Sequence, residues 1–524
     1  MLSIRTKNLP SITLFLLLLL IAYVPVSLLL PSIPQSISQA GSFPTKQNQS
    51  ENITIVGDFS YNKLVSTVDF DYPHHVEPTL AISDNDTLFV GFKNAETHNG
   101  GGARVSFSKS SDYGGTWSTP WNMPHFEGSS TRQSDPWMVW KNGTLYYAYL
   151  EFMYQSPEIG LSQITLARTS NYGANWHFTQ ASHGEQFADK ETMAVSDTGV
   201  VYIPYDDAGN RVEVKLSRSL DGGVTFQEVA VSDAPHEGHV APYVTLDSEE
   251  NVYIAWTWLS GGDGLGDIYL DVSMDQGITF TQEWDVNPEQ NASAFHTTLD
   301  GAVGKVTIPV IRFDSHDRLY LLWADLYEPD GTWDVYLRYS DDLGQTWSER
   351  LQVNPRTYGN QWMPDMDIDS EGRVHLAWLD EFSDYYRPKY RSLTFSDSNR
   401  STPEFTDTIA IANRLTSSNF TRPGDYLTIR VDSQNVPHVV WTDGRNNEMD
   451  IYYSHGIMIE VPVPNSSETT GETRSSAWEG TESAIQTSDS KGKDDETGIG
   501  FLEITGALLV IAIFINHFRR NSLK

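Results

Sequence analysis

The stretch Ser110-Ser111-Asp112-Tyr113-Gly114-Gly115-Thr116-Trp117 returns, lightly altered, along this chain. Near-copies run over Ser219–Phe226, Ser273–Phe280 and Ser340–Trp347, and a worn copy runs over Thr169–Trp176. The shared pattern is S-x-D-x-G-x-T-[WF], with Asp112, Asn171, Asp221, Asp275 and Asp342 at its acidic position. Each residue type has a mechanical role in a tight hairpin. A carboxylate or side-chain amide accepts main-chain N–H bonds across the turn, and glycine takes the positive φ that the turn needs. Thr and the aromatic residue then open the next strand, where a ring fills the space between sheets. The motif is therefore a structural one.

Between the boxes lies a second repeat, a strand that follows a turn and ends in an aromatic residue. It reads Thr87–Phe92, Thr144–Tyr149, Val200–Tyr205, Asn251–Trp256, Arg318–Trp323, Arg373–Trp378 and Val436–Trp441. The copies are roughly 50 to 67 residues apart, a period that suits four-stranded propeller blades. Asp-Ser pairs precede the later copies at Asp247, Asp314, Asp369 and Asp432. Each repeat reads as strand A, Asp turn, strand B, a variable loop, strand C, box hairpin and strand D. The seventh repeat ends near Ile457 without a box, and Asn52–Val56 is placed to supply its missing outer strand. Closure in this way hides an edge whose N–H and C=O groups would otherwise stay unpaired. The predicted fold is all-β, a seven-bladed propeller of four-stranded antiparallel blades. Six blades is the alternative, because the sixth repeat has only a frayed box around Ser396-Asp397.

With its boxes, the stretch 52–460 resembles the sialidase-like Asp-box (BNR repeat) β-propeller superfamily. The resemblance implies a binding or active face opposite the boxes. It also implies three arginines clamping a sugar-acid carboxylate, a Tyr nucleophile beside a carboxylate, and an acid/base. Arg132, Arg356 and Arg422, from the second, sixth and seventh repeats, are the clamp candidates. Tyr385 and Tyr386 are the nucleophile candidates, and Asp207 and Glu151 the acids. The Arg-Ile-Pro signature of the catalytic family has no counterpart; Ile308-Pro309-Val310-Ile311-Arg312 carries those residue types in another order.

The two ends of the chain are of a different kind. Arg5 and Lys7 precede an apolar run from Ile12 to Leu30, and Ser38-Gln39-Ala40 offers a small-residue cleavage site, so 1–40 is predicted to be a secretory signal peptide. An uncleaved anchor is the alternative. A linker, 41–51, leads into the propeller. Residues 461–497 are rich in Ser, Thr, Glu and Gly and too polar to bury a core, as expected of a solvated stalk. The segment 498–516 is predicted to be a transmembrane helix or a sorting tail, with 517–524 a basic cytoplasmic tail. Eight N-x-S/T triplets between Asn48 and Asn465 suit a glycosylated protein on the outer face of the membrane. The chain has no cysteine and a formal charge of −34, which excludes disulfides, Cys-built zinc sites and nucleic acid as a partner.

Topology sorts the candidates. The A–B turns and the boxes share one face, and the longer, irregular B–C loops lie on the other with the D–A loops. Two residues past each strand-B aromatic stand Asn94, Glu151, Asp207, Trp258, Asp325, Asp380 and Asp443. Because the position recurs, these groups either cap neighbouring loops and pair with arginines such as Arg445, or ring the mouth with oxygens. In the second case Asp325, Asp380 and Asp443 could hold a structural Ca²⁺; no cofactor is otherwise required. Tyr154, Trp258, Tyr327, Trp333 and Tyr385 are aromatic groups able to stack on sugar rings. The expected function is binding of glycans or cell-surface polymers by a membrane-anchored propeller. An exo-α-sialidase-type glycoside hydrolase is the alternative, and a structural envelope or adhesion module the second.

Overall fold

Box turns and strand-B repeats together dictate a chain of hairpins, and hairpins with one apolar face must bury it against the next sheet. The computed structural model describes residues 52–462 apart from 68–71, 97–101, 126–130, 156–157, 183–187, 209–211, 233–237, 260–265, 281–282, 287–294, 297–304, 307, 328–331, 357, 383–384, 398–399, 418–423 and 447. The predicted signal peptide, linker, stalk (but for its first two residues), transmembrane segment and basic tail lie outside the described residues, as does Arg422. Among the described residues no helix is long and apolar enough to cross a membrane.

Seven antiparallel sheets follow one another along the chain, each a meander of strands A to D. Blade 1 is His74–Ile82, Leu88–Ala95, Arg104–Ser110 and Trp121–Asn122. Blade 2 is Thr131–Lys141, Thr144–Gln155, Glu158–Thr169 and His177–Gln180. In blade 3 strand A is split into Ala188–Asp189 and Ala194–Val195, followed by Val201–Ala208, Val212–Ser219 and Gln227–Ala230. Blade 4 is His239–Leu246, Val252–Leu259, Gly266–Ser273 and Glu283–Asp285; blade 5 is Val310–Phe313, Leu319–Tyr327, Thr332–Ser340 and Leu351–Gln352. Blade 6 is Asn360–Ile368, Val374–Phe382, Tyr385–Phe395 and Pro403–Phe405, and Thr416–Ser417 also pairs with its third strand. Blade 7 takes Thr428–Val431, Pro437–Asp443 and Asp450–Pro462 from the end of the chain and Asn52–Phe59 from its beginning. Asn52 pairs with Pro462 and Phe59 with Gly456 across that closing ladder. The propeller is seven-bladed.

The box carboxylates hold their turns as their residue types demand. Asp112 accepts the Thr116 N–H at 2.8 Å on one oxygen and the Thr116 hydroxyl at 2.7 Å on the other. Asp221, Asp275 and Asp342 bind Thr225, Thr279 and Thr346 in the same way. Asn171 accepts the Asn175 N–H at 2.9 Å, and in the frayed sixth box Asp397 accepts the Ser401 N–H at 2.6 Å. The A–B turns use a second device: Asp432 accepts the N–H groups of Gln434 and Val436 with one oxygen and faces the His438 ring with the other. Asp247, Asp314 and Asp369 do the same beneath Tyr253, Tyr320 and His375.

Blades pack through aromatic rings. Trp117 of the first box meets Tyr453 of blade 7 edge-on at 5.2 Å, and Trp176 meets Phe107 of blade 1 at 5.2 Å. The aromatic residues that end strand B in blades 4 to 7, Trp256, Trp323, Trp378 and Trp441, are all fully buried. Truncating such a ring to alanine costs about 3–5 kcal/mol.

Candidate functional site

The face opposite the boxes begins where each strand B ends. The recurring polar group there is buried in every blade that places an acid or amide at it: Asn94, Glu151, Asp207, Asp325, Asp380 and Asp443. Each turns to partners near its own blade. Glu151 accepts the Thr165 hydroxyl at 3.0 Å and lies 3.2 Å from the His125 ring. Asp207 binds Lys215 at 2.5 Å, Asp325 faces Arg350 at 3.4 Å, Asp380 pairs with Arg356, and Asp443 pairs with Arg445 at 2.5 Å. Among the described residues no three His, Asp or Glu side chains converge closely enough to enclose a metal ion.

The clamp candidates also meet local acids. Arg132 of blade 2 directs two guanidinium nitrogens at Glu96, each 3.1 Å from one carboxylate oxygen. Arg356, at the entry to blade 6, pairs with Asp380 and donates to the Glu381 carbonyl at 3.1 Å. Blades 7 and 1 stand between them around the ring. Neighbouring in sequence, Tyr385 and Tyr386 point to opposite sides of strand C. Tyr386 is 3% exposed and its hydroxyl faces the Met449 sulfur at 3.6 Å, so burial pushes its pKa well above the usual phenol value. Tyr385 is 47% exposed. Trp333 is buried among Trp362, Leu379 and Tyr386. Trp258, half-buried, meets Tyr269 edge-on at 6.0 Å. The side chains of Tyr154 and Tyr327 lie outside the described residues.

One group on this face is both aromatic and open. Tyr358 and Phe382 meet edge to face at 5.4 Å, and the Arg356 guanidinium lies 4.8 Å from one ring and 5.0 Å from the other. Phe382 is directly opposite Tyr385 in the ladder. Exposures of 58% for Tyr358, 50% for Phe382 and 47% for Tyr385 make three large rings at the solvent edge of a single blade. Asn360 donates to the Glu381 carboxylate at 3.1 Å beside them. Arg356 and Tyr385 were legible as candidates in the sequence. Tyr358 and Phe382 were not, because neither occupies a repeating position; the dense run of aromatics around Arg356 and Asp380 was the available signal.

The centre of the ring holds a second feature that the repeats did not announce. Strand A of four blades carries a bulge just below this face, where the ladder skips Glu77-Pro78, Asp135-Pro136, Ala241-Pro242 and Met363-Pro364. Glu77, Asp135, Ala241 and Met363 all have positive φ, between 51° and 57°, and Lys190 of blade 3 joins them at 54°. Non-glycine residues adopt this conformation only where the surroundings impose it. The bulged chain closes the channel with side chains. Trp137 meets Tyr243 at 5.4 Å and Tyr426 at 5.9 Å; Lys190 reaches across to Asp425 at 2.5 Å; Tyr426 donates to the Pro136 carbonyl at 2.9 Å. A cavity of about 30 Å³ remains, room for one or two water-sized species and too small for a sugar ring. The signal that would have revealed this ring is an X-Pro pair recurring about ten residues ahead of strand B.

No family model matches the chain, and no curated protein matches it. Solved structures do. An ulvan lyase of polysaccharide lyase family PL25 superposes with a TM-score of 0.48 at 10% identity, covering 77% of this chain and 95% of its own. Trypanosoma rangeli sialidase superposes at 0.43 and 15%, covering 64% and 57%. A Dyadobacter fermentans protein of unknown function superposes at 0.45 and 14%, covering 63% and 95%. Such identities and scores transfer no residue role and no substrate to this chain.

Proposed function

We propose that this chain is an extracellular, membrane-tethered propeller that binds glycans through the face opposite its boxes, at the ring cluster of blade 6. The single observation that carries this is the exposed platform of Tyr358, Phe382 and Tyr385 with Arg356 held against two of its rings. Sugars offer C–H faces that pack on aromatic rings and hydroxyls that bond to nearby amides and carboxylates, and Asn360 and Glu381 supply the latter. Strand C of a blade runs toward the box face, so the propeller ends at Pro462 beside Asn52 on that side.

Glycan-array binding by the full chain tests the proposal. Tyr358→Ala and Phe382→Ala are each expected to weaken the bound glycan about tenfold, or about 1.4 kcal/mol, without changing the melting temperature. Binding that survives both substitutions would remove the platform from the reading, and hydrolysis of the bound glycan would favour a glycosidase over a receptor.

A further inference from the structure

Pro78, Pro136, Pro242 and Pro364 each follow the bulged residue of strand A, and in blade 3 the place after Lys190 is taken by Glu191. Four blades thus make this bend with a ring that carries no charge, so the architecture itself asks for no carboxylate there. Glu191 is 3% exposed and lines the channel cavity, and neither of its carboxylate oxygens has a hydrogen-bond partner. Among the described residues the cations of the region are already committed: Lys190 to Asp425 at 2.5 Å and to Asp135 at 4.0 Å, Arg430 to Asp365 at 2.8 Å, Arg312 to Asp367 at 3.8 Å, and Lys93 to Glu77 at 2.6 Å. The Tyr243 hydroxyl and one Asp365 oxygen in the same wall are likewise without a partner. Burial, with Asp135 beside it, pushes the Glu191 carboxyl well above the usual carboxylate range, so in this setting the group either keeps a proton or is met by something positive.

We propose that Glu191 anchors a hard, oxygen-seeking cation inside the propeller channel. The wall offers carboxylate, hydroxyl and main-chain oxygens and no imidazole; its one sulfur is the Met363 thioether. Its one ammonium, Lys190, is held by Asp425 and Asp135, which leaves Glu191, Asp365 and Tyr243 as hard oxygen donors of the kind Ca²⁺, Mg²⁺ or an alkali ion takes. The cavity admits an ion with a water or two and excludes an organic amine. Since among the described residues no three acids enclose a point by themselves, water and neighbouring oxygens would complete the coordination shell. Such an ion would bind the inner ends of blades 2, 3, 4, 6 and 7, which supply Asp135, Glu191, Tyr243, Asp365 and Tyr426 to the cavity wall. This site is separate from the proposed glycan platform, so either can fail without the other.

The test is thermal melting of the full chain, stripped with chelator and dialysed, against CaCl₂, MgCl₂, KCl and NaCl at ionic strength matched with tetramethylammonium chloride. The melting temperature of the natural chain is expected to rise saturably with at least one of the four, and protein reloaded with that cation and dialysed again is expected to retain one ion per chain by atomic emission. Glu191→Gln should lower the apparent affinity at least tenfold, and Glu191→Pro, which restores the residue of the sister blades, should abolish the response. A melting curve indifferent to all four cations, the outcome for a protonated Glu191 or for ordered water alone, overturns the proposal, and so does a full response in either variant. Should both variants fail to fold, the retained-ion measurement on the natural chain decides: no cation above the dialysis background overturns it.

Discussion

A single aspartate in each box does the work of a small staple, and its chemistry was readable before any coordinates. The Asp112 carboxyl is held at about 2 by the Thr116 hydroxyl and N–H and by Ser110, although it lies at the surface. Hydrogen bonds to the charged form explain the direction. The box glycine has a role that goes beyond the turn. Gly114 has a φ of +79°, and a Cβ there would collide with the Tyr453 ring of blade 7. Gly222 has a φ of +71° with open space around it. Gly114→Ala is therefore expected to lose about 3 kcal/mol, strain and overpacking together, whereas Gly222→Ala loses about 1 kcal/mol for the left-handed backbone alone. Equal losses in urea unfolding would show that contact between blades adds nothing. The candidate site was less legible at this scale. Arg356 and Tyr385 could be named from their loops, but Tyr358 and Phe382 became visible only when folding set their rings side by side.

Strands and turns carried the fold. The seven strand-B copies form the second strand of seven sheets, because each ends in a ring that can be buried only by an adjoining blade. The closing strand was legible for a negative reason: repeat seven lacked a box, and the only spare β-like segment stood at the start of the propeller. Val56 is 3% exposed within that strand, packed near Trp441 and Tyr452. Thr54, two residues away, faces solvent. Val56→Asp is expected to cost about 4 kcal/mol by placing a charge in the seam of blade 7, and Thr54→Asp within about 0.5 kcal/mol of nothing. A seam that tolerates Val56→Asp in a denaturant titration would mean that the N-terminal strand contributes little to closure. The bulges of strand A, by contrast, escaped the pattern of repeats. An X-Pro pair reads locally as a turn or an edge, and only its position beside a closed channel makes it a recurring device.

At the scale of the whole molecule, charge and closure oppose one another. Every blade is needed to complete the ring, yet the chain carries a formal −34. Self-repulsion at that charge works against the compact state. Raising tetramethylammonium chloride from about 0.01 to 0.15 M shortens the screening length from about 30 to about 8 Å, and is expected to raise the melting temperature by about 2–4 °C. A flat or falling melting temperature would mean that the surface acids are already neutralised by local pairs such as Arg318 with Asp341.

From the sequence alone came a seven-bladed propeller with six blades as the alternative, the box hairpins, the closing strand and the face expected to carry the irregular loops. The blades and box hairpins rest on interactions between residues close in the chain and on periodic burial, which leave a repeating trace; the closing strand, whose Asn52 pairs with Pro462, was legible only through the repeat it completes. Tertiary structure alone decided which rings stand exposed together on blade 6 and that Glu191 faces the channel without a protein partner. The rings are set side by side by the folding of one blade and its entry loop, and the surroundings of Glu191 come from distant blades; neither set occupies a repeating position, so no local pattern records them.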